Sequence, residues 1–507
     1  MQKSLGTKIG IFILIFLAIF MTSCQKTILP SKDTLVVAIG AAPANLDPRR
    51  ATDAYGMRIA ALIHAGLVNL DKNLQPAAEL AESWTYSNKV YTFTLRDNAQ
   101  FSNGRKIEPD DILFSFAEFM KDGFPYKSAL EAIKEVKSFK GVDGKIKVQL
   151  FLKKFSAKLL TSDLVVVKIL PKKEMLELGD KFFDQPIGSG MYQLKEFAIN
   201  RVLLERAPSH TKGLKFIDFK IIRDEFTRFQ KMAQGGLDIA QAEISPSKVR
   251  VTFLDDPKNF SVVASGGLSM SYLLFNLTDP LFSNVEVRNA INQSINRQEI
   301  IKYKMDGFAK EAPSLVPRSS PFFNSQMPMN PYNPEEAKAI IKKHGLNGAK
   351  IVLKTSNNQS VMSYAKVMAF QLNQIGLNVT LQSFEWGKFF SDINKGNFQM
   401  ASLRWVGTVD PDIYRVALHS SEFPPGRNRG RYKNLELDKL MEKGLELEGD
   451  TQRKSVYDEL QSRVALDVPF VPLWYEDQVT VVSKRVKGFD PSPVGDYISM
   501  AYAQKEE

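Results

Sequence analysis

The chain has 507 residues, 44% of them hydrophobic and 24% charged, with a formal net charge of +11. Those proportions exclude a disordered or collagen-like chain and suit a folded soluble one. A single cysteine excludes a disulfide within the chain. The basic residues are interleaved with acids, as where Lys342 and Lys343 follow Glu335 and Glu336, which reads as a solvated surface and not as a nucleic-acid stripe.

In chain order, Lys3 and Lys8 precede an uncharged apolar run, Ile9 to Met21. That run is shorter than the about 20 residues a bilayer-spanning helix needs. A basic start and a short apolar run make the pattern of a secretory signal. Met21-Thr22-Ser23-Cys24 follows at once and resembles the bacterial lipobox, whose cysteine is acylated and becomes the first mature residue. Several alkyl chains on Cys24 would anchor the protein stably. An uncleaved anchor and a free cysteine that happens to end a signal peptide are the alternatives.

A polar tether to Asp33 leads into Thr34–Gly40, a short β-branched run closed by glycine, expected as a buried strand. Apolar residues at helical spacing predict a helix over Met57–Val68. Ser83–Ser87 and Val90–Leu95 around Asn88-Lys89 predict a hairpin, and Glu108–Met120 a helix whose start carries Pro109 and two aspartates. Further on, Asn333, Pro334 and Glu336 form a capping-box pattern at the start of a helix that stops before Gly345. Lys350–Thr355, Val361–Ile375 and Asn378–Phe384 then read as strand, helix, strand, a βαβ unit with parallel pairing. Asn397–Arg404 is expected as a strand, Thr451–Asp467 as a helix, and Val468–Tyr475 and Val479–Ser483 as two strands.

Catalytic and metal chemistry is hard to find. The four histidines are His64, His210, His344 and His419, none of them in zinc-binding spacing. Gly188-Ser189-Gly190 is neither a phosphate loop nor a nucleophile elbow. The acid pairs Asp110-Asp111, Asp255-Asp256 and Asp410/Asp412 are glycosidase-like in type only, and helix starts and turns are the commoner cause of such pairs. No enzyme and no cofactor is expected.

Asn45-Leu46-Asp47-Pro48, after the first strand, resembles the N-terminal signature of the family 5 solute-binding proteins of ATP-driven importers. Ala65-Gly66-Leu67-Val68, Pro76–Trp84, Tyr91–Asp111, Pro186–Leu194, Gly235–Ile239 and Phe275-Asn276 follow in that family's order. Val287–Ile301, Tyr332–Ala337, Trp405–Pro411 and Asp467–Tyr475 complete the series, so the resemblance spans about residues 34 to 484. It implies an α/β fold of the type II periplasmic-binding-protein kind, with two α/β lobes, a hinge and an inserted extra domain. The expected divisions are a signal peptide at 1–23 and a lipidated tether at 24–32. Lobe 1 is expected at 33–68, 188–267 and 480–507, the inserted domain at 69–187 and lobe 2 at 268–479.

The resemblance further implies a monomer in the cell envelope, in the periplasm or on the outer face of the cytoplasmic membrane. It would capture a small, peptide-like solute between its lobes and deliver it to an ABC permease. A sensor or interaction lipoprotein on the same fold is the alternative, and a secreted hydrolase a third reading. By matching motifs, the ligand would touch Ala41, Pro43 and Tyr55 on one lobe, and Met270, Tyr272, Arg404, Trp405, Thr408 and Asp410 on the other. Peptide binders of the family carry an aspartate three residues after the tryptophan, to pair with the ligand's ammonium. This chain has Thr408 there, so Asp410 is either a replacement anchor or part of a structural Asp-Pro turn. Arg404 suits an anionic or sugar-phosphate ligand equally well.

Overall fold

The computed structural model describes residues 31–51, 53–405, 410–424 and 426–506. The signal segment and Cys24 lie outside the described residues, as does Thr408.

Eleven strands form one sheet: β1 (Thr34–Ile39), β2 (Tyr192–Ala198), β3 (Arg201–Arg206), β4 (Phe216–Ile221), β5 (Ile239–Gln241), β6 (Phe260–Phe275), β7 (Ala309–Glu311), β8 (Lys350–Ser356), β9 (Asn378–Phe384), β10 (Met400–Trp405) and β11 (Phe470–Ser483). Their order is β9-β8-β10-β6-β11-β5-β1-β4-β3-β2, with β7 on the edge of β11. Parallel pairing joins β1 to β4 and β5 in the first lobe, and β8 to β9 and β10 in the second. Parallel strands are covered on both faces, and β1 obeys the rule. Leu35, Val37 and Ile39 enter one core, Val36 and Ala38 the opposite one. The second lobe repeats the scheme, with Leu273 and Phe275 of β6 in one core and Met270, Tyr272 and Leu274 in the other.

Between β1 and β2 the chain builds a separate four-stranded antiparallel sheet with its own core. Its hairpin, Ala81–Ser87 with Val90–Leu95, turns through Asn88 and Lys89 at φ 50° and 62°. Positive φ at both central residues is what a type I′ turn requires. The helix Pro109–Phe119 begins on a reciprocal cap between Glu108 and Asp111.

Three expectations need correction. The predicted Met57–Val68 helix is Ala54–Ile63, and Val68 already belongs to a short strand that pairs with Pro76–Ala78. At Asn333 the side chain accepts from the Glu336 N–H, but the Asn333 N–H goes to the Gln293 carbonyl, so only half of the capping box exists. The two C-terminal strands are one: Glu476, Asp477 and Gln478, polar enough to read as a break, lie inside β11.

That continuity builds the lobe crossing. β6 and β11 pair antiparallel from Phe260–Ser483 to Ser265–Gln478 in the first lobe, and from Ser269–Glu476 to Leu274–Phe470 in the second. The ladder breaks between Ser265 and Ser269, at Gly266-Gly267. A Cβ on Gly267 would lie 1.8 Å from the Glu476 carbonyl oxygen, whereas one on Gly266 would meet nothing within 4 Å. Gly267→Ala is therefore expected to cost about 3 kcal/mol or more by overpacking, and Gly266→Ala less than about 1 kcal/mol. Urea unfolding of both variants checks this, and equal losses would remove the crossing from Gly267.

Candidate functional site

The strand registers decide where a solute can sit. Gln241, at the carboxyl end of β5, pairs with Thr480, and Trp405, at the carboxyl end of β10, pairs with Met270. Both residues lie beside the crossing, so the carboxyl ends of the two parallel sets flank it from either side. Ligands of open α/β sheets bind outside such ends.

On the first lobe, the loop after β1 leaves Ala41 exposed and Pro43 buried. Tyr55 is drawn inward. Its hydroxyl donates to Glu243 Oε1 (2.7 Å) and accepts the Gly40 N–H (3.1 Å). Glu243 is buried and also faces Arg228 (3.4 Å). Burial pushes the Tyr55 phenol up to about 12, with Glu243 adding to the shift. Tyr55 thus fixes the start of the loop and offers no free donor.

On the second lobe, strand alternation separates the expected contacts. Ser271 pairs with Arg404, and Met270 with Trp405, so Arg404 and Trp405 point to opposite faces. Met270 is fully buried and Tyr272 is 3% exposed, both packed into the core of lobe 2. Tyr272 acts through its neighbour: its ring stacks on Trp405 at 6.0 Å and 9°. Arg404 is already paired, its Nη1 2.7 Å from Glu476 Oε2, while Ser271 Oγ donates to Glu476 Oε1 (2.9 Å).

Asp410 is half-buried and ion-paired. Arg453 Nη2 reaches its two oxygens at 3.0 and 3.3 Å, and the Asp412 N–H donates to Asp410 Oδ1 (2.9 Å). This is an Asx turn over Pro411, the geometry of the Asp-Pro turn reading. Thr161 Oγ1 approaches Asp410 Oδ2 (3.5 Å) from the inserted domain. Close by, Asp163 is ion-paired to Lys158 (2.7 Å) and Asp412 to Arg415 (2.9 Å). Further along the same seam, Tyr86 donates to Glu448 (3.1 Å) and Lys154 pairs with Glu446 (2.9 Å).

Sequence reasoning missed an aromatic ladder behind Trp405. Trp386 stacks on Phe390 (5.4 Å), and the Arg429 guanidinium lies over Phe390 (4.8 Å) and over Trp405 (5.7 Å). Among the described residues, Arg427, Arg429 and Arg431 form no ion pair. The signal was present in Arg427-Asn428-Arg429-Gly430-Arg431, a basic run without an acid, which the reading of charge as evenly scattered passed over.

A family model described as bacterial extracellular solute-binding proteins, family 5 Middle, matches residues 75–423. The glutathione-binding protein GsiB of Salmonella paratyphi A is 27% identical, with 91% of this chain and 92% of that protein covered. Heme-binding protein A of Haemophilus influenzae is 25% identical, over 92% of this chain and 91% of its own length. The solved structure of the oligopeptide-binding protein AppA of Bacillus subtilis, in complex with a nonapeptide, superposes with a TM-score of 0.77 at 22% identity. It covers 94% of this chain and 99% of that one.

The seam between lobe 2 and the inserted domain titrates. Burial lifts the Asp163 carboxyl to about 6, against the pull of Lys158 and helped by Asp412 and Asp410. An unfolded aspartate titrates near 3.9, so the folded chain binds this proton more tightly. Stability from this group is therefore present at low pH and lost as pH rises from about 4 to about 6, by about 3 kcal/mol. Asp163→Asn should shrink the stability difference between about pH 4 and about pH 7.5 by about that amount. Urea unfolding at the two pH values measures it, and an unchanged difference would mean that Asp163 ionises normally.

Proposed function

The chain belongs to the bacterial extracellular solute-binding proteins of family 5, and we propose that it captures a peptide-like solute between its lobes and passes it to the permease of an ABC importer. The family is one of binding proteins and not of enzymes. The observation that carries the peptide reading is a backbone edge. β8 meets β10 only at Leu353–Met400 and Lys354–Ala401, so among the described residues no strand pairs with Ser402 to Trp405 on that side. An extended solute with its own N–H and C=O groups can add there as a strand, gaining affinity from main-chain hydrogen bonds whatever its side chains.

The side chains around this edge support the same reading. Trp405, Phe390 and Trp386 supply apolar faces, while Arg427 and Arg429 supply charge for a carboxylate. Asp410, spent on Arg453, contributes nothing to a ligand's ammonium. Of the similar proteins, one is named for glutathione, itself a tripeptide, and one was solved with a nonapeptide. A second reading rests on the flat aromatic ladder with its cation, which also suits a planar anionic ligand, and one relative is named for heme.

Native mass spectrometry of a form lacking residues 1–24, before and after mild denaturation, separates these readings. A ladder of peptide masses released on unfolding is the expected result, and one coloured macrocycle would favour the second reading. Trp405→Ala should weaken recapture of the released solute at least about ten-fold. A protein that is empty and gains neither mass nor thermal stability from peptide pools would overturn peptide import and shift weight to a sensor on the same fold.

Anchoring at Cys24 is part of the proposal. Among the described residues no helix is long and apolar enough to cross a membrane, so retention would rest on the N-terminal segment. Cys24→Ser should abolish labelling by a radioactive fatty acid and move the protein from the membrane to the soluble fraction. Unchanged labelling would exclude Cys24 as the acceptor.

A further inference from the structure

A cavity of about 400 Å³ opens inside lobe 2, at the outer edge of β11 and between the helical layers that cover the two faces of the sheet. It is separate from the crossing. Its walls come from the start of the helix Arg297–Lys304, the segment that follows β7, and the helix Asp450–Asp467. The volume falls within the roughly 300–1,000 Å³ of small-molecule sites.

Three of its lining residues are charged, and among the described residues none is ion-paired to another: Arg297, Glu311 and the exposed Arg318, whose guanidinium lies over the Phe323 ring (5.2 Å). Arg297 is buried, and every acceptor around it is neutral. Nε donates to the Pro472 carbonyl (2.8 Å), Nη1 to the carbonyls of Asn292 and Ile295 (3.2 Å each), and Nη2 to Asn292 Oδ1. Those bonds pin the helix start to β11 and account for four of the five guanidinium hydrogens. Among the described residues the fifth, on Nη2, has no acceptor, and Arg297 has no ion pair. A buried cation with no acid in contact is costly, and the charge of Glu311 offsets only part of that cost. Glu311, half-buried on β7, lines the same cavity and has no hydrogen bond or ion pair from its carboxylate among the described residues.

The rest of the lining is mixed, with Asn296, Gln298, Asn330 and Gln461 set among apolar side chains. Val464, Val468 and Phe470 are buried along one side, and Met327 and Met329 stand near the mouth, where unbranched thioether chains adapt to varied shapes. We propose that lobe 2 carries a second binding site, for a free α-amino acid with an apolar side chain. The carboxylate takes the open Nη2 hydrogen of Arg297, the ammonium takes Glu311, and the side chain packs against Val464, Phe470 and Met327.

Isothermal titration of the detergent-solubilised full chain with L-leucine tests this. The expected result is saturable binding of one L-leucine per chain. Leucinamide, without the carboxylate, and 4-methylpentanoate, without the ammonium, should each bind at least ten-fold more weakly. Because Arg297 also holds the fold together, the decisive variants are Glu311→Gln and Ala465→Phe. The first should weaken L-leucine at least ten-fold, and the second, filling the cavity from the helix Asp450–Asp467, should abolish binding while the circular dichroism spectrum is kept. Trp405→Ala should leave L-leucine affinity within two-fold. No saturable binding up to about 10 mM, or binding that Trp405→Ala removes and Glu311→Gln spares, would overturn the proposal, the latter by placing the amino acid between the lobes.

Discussion

Both lobes hang on the antiparallel pairing of β6 with β11, and the order of the sheet passes through that pair. The ladder carries a one-residue register shift between Ser271 and Tyr272 in the second lobe, but its unpaired gap falls between Ser265 and Ser269, so conformational freedom is concentrated between the lobes. Hinge motions concentrate in a few residues that absorb the backbone change, and here the break falls at Gly266-Gly267. The same point reports on the solute cleft. The Glu476 carbonyl bars any side chain from Gly267, and the Glu476 carboxylate holds Arg404 and Ser271. A ligand that competes for Arg404 thus acts directly on the residue against which the crossing is packed.

Charge is allotted unevenly around the cleft. Carboxylates there are committed: Glu243 to Tyr55 and Arg228, Glu476 to Arg404, Asp410 to Arg453 and Asp412 to Arg415. Arg427 and Arg429 carry no such commitment among the described residues, and Arg429 rests on aromatic faces. A cation over an aromatic ring gains about 0.5–2 kcal/mol, enough to hold the guanidinium in place without cancelling its charge. The site as proposed would therefore favour a solute that brings negative charge to the tryptophan side of lobe 2. Part of the net charge of +11 is local and is not merely a solvated surface.

Local chemistry was legible where one short-range rule dominated. Asn88-Lys89 between alternating runs predicted a two-residue hairpin, and the parallel βαβ unit from Lys350 to Phe384 followed from period and length. Failures came where tertiary contacts overrode the pattern. Glu476-Asp477-Gln478 reads as a loop because its polarity suits one, but β6 and β7 pair with Glu476 and β6 with Gln478, and Glu476 also has Arg404 to neutralise it. Arg404 and Trp405 are adjacent in sequence, yet the pleat sends them to opposite faces, which a motif cannot convey. The partner of Asp410 lies 43 residues away at Arg453, on a helix whose own pattern gives no hint of it. Arg429 needed Phe390 and Trp405 to be seen together before its run of arginines acquired meaning.

The contacts between lobe 2 and the inserted domain bear on how capture is controlled. Lys154–Glu446 is an exposed ion pair, and such pairs contribute about 0–1 kcal/mol each. The ion pairs of Asp163, Asp410 and Asp412 each lie within one body, Asp163 with Lys158 in the inserted domain and Asp410 and Asp412 with Arg453 and Arg415 in lobe 2, so they add no attraction across the seam. The Ala157 N–H to Leu445 carbonyl bond, at 3.3 Å, adds one backbone interaction worth about 1 kcal/mol. A seam built this way brings the two bodies together in one register while holding them only weakly. A ligand shifts such an equilibrium by its differential affinity for the closed state. With so little stabilisation from the protein's own contacts, the contacts a solute makes to both lobes at once are what decide closure.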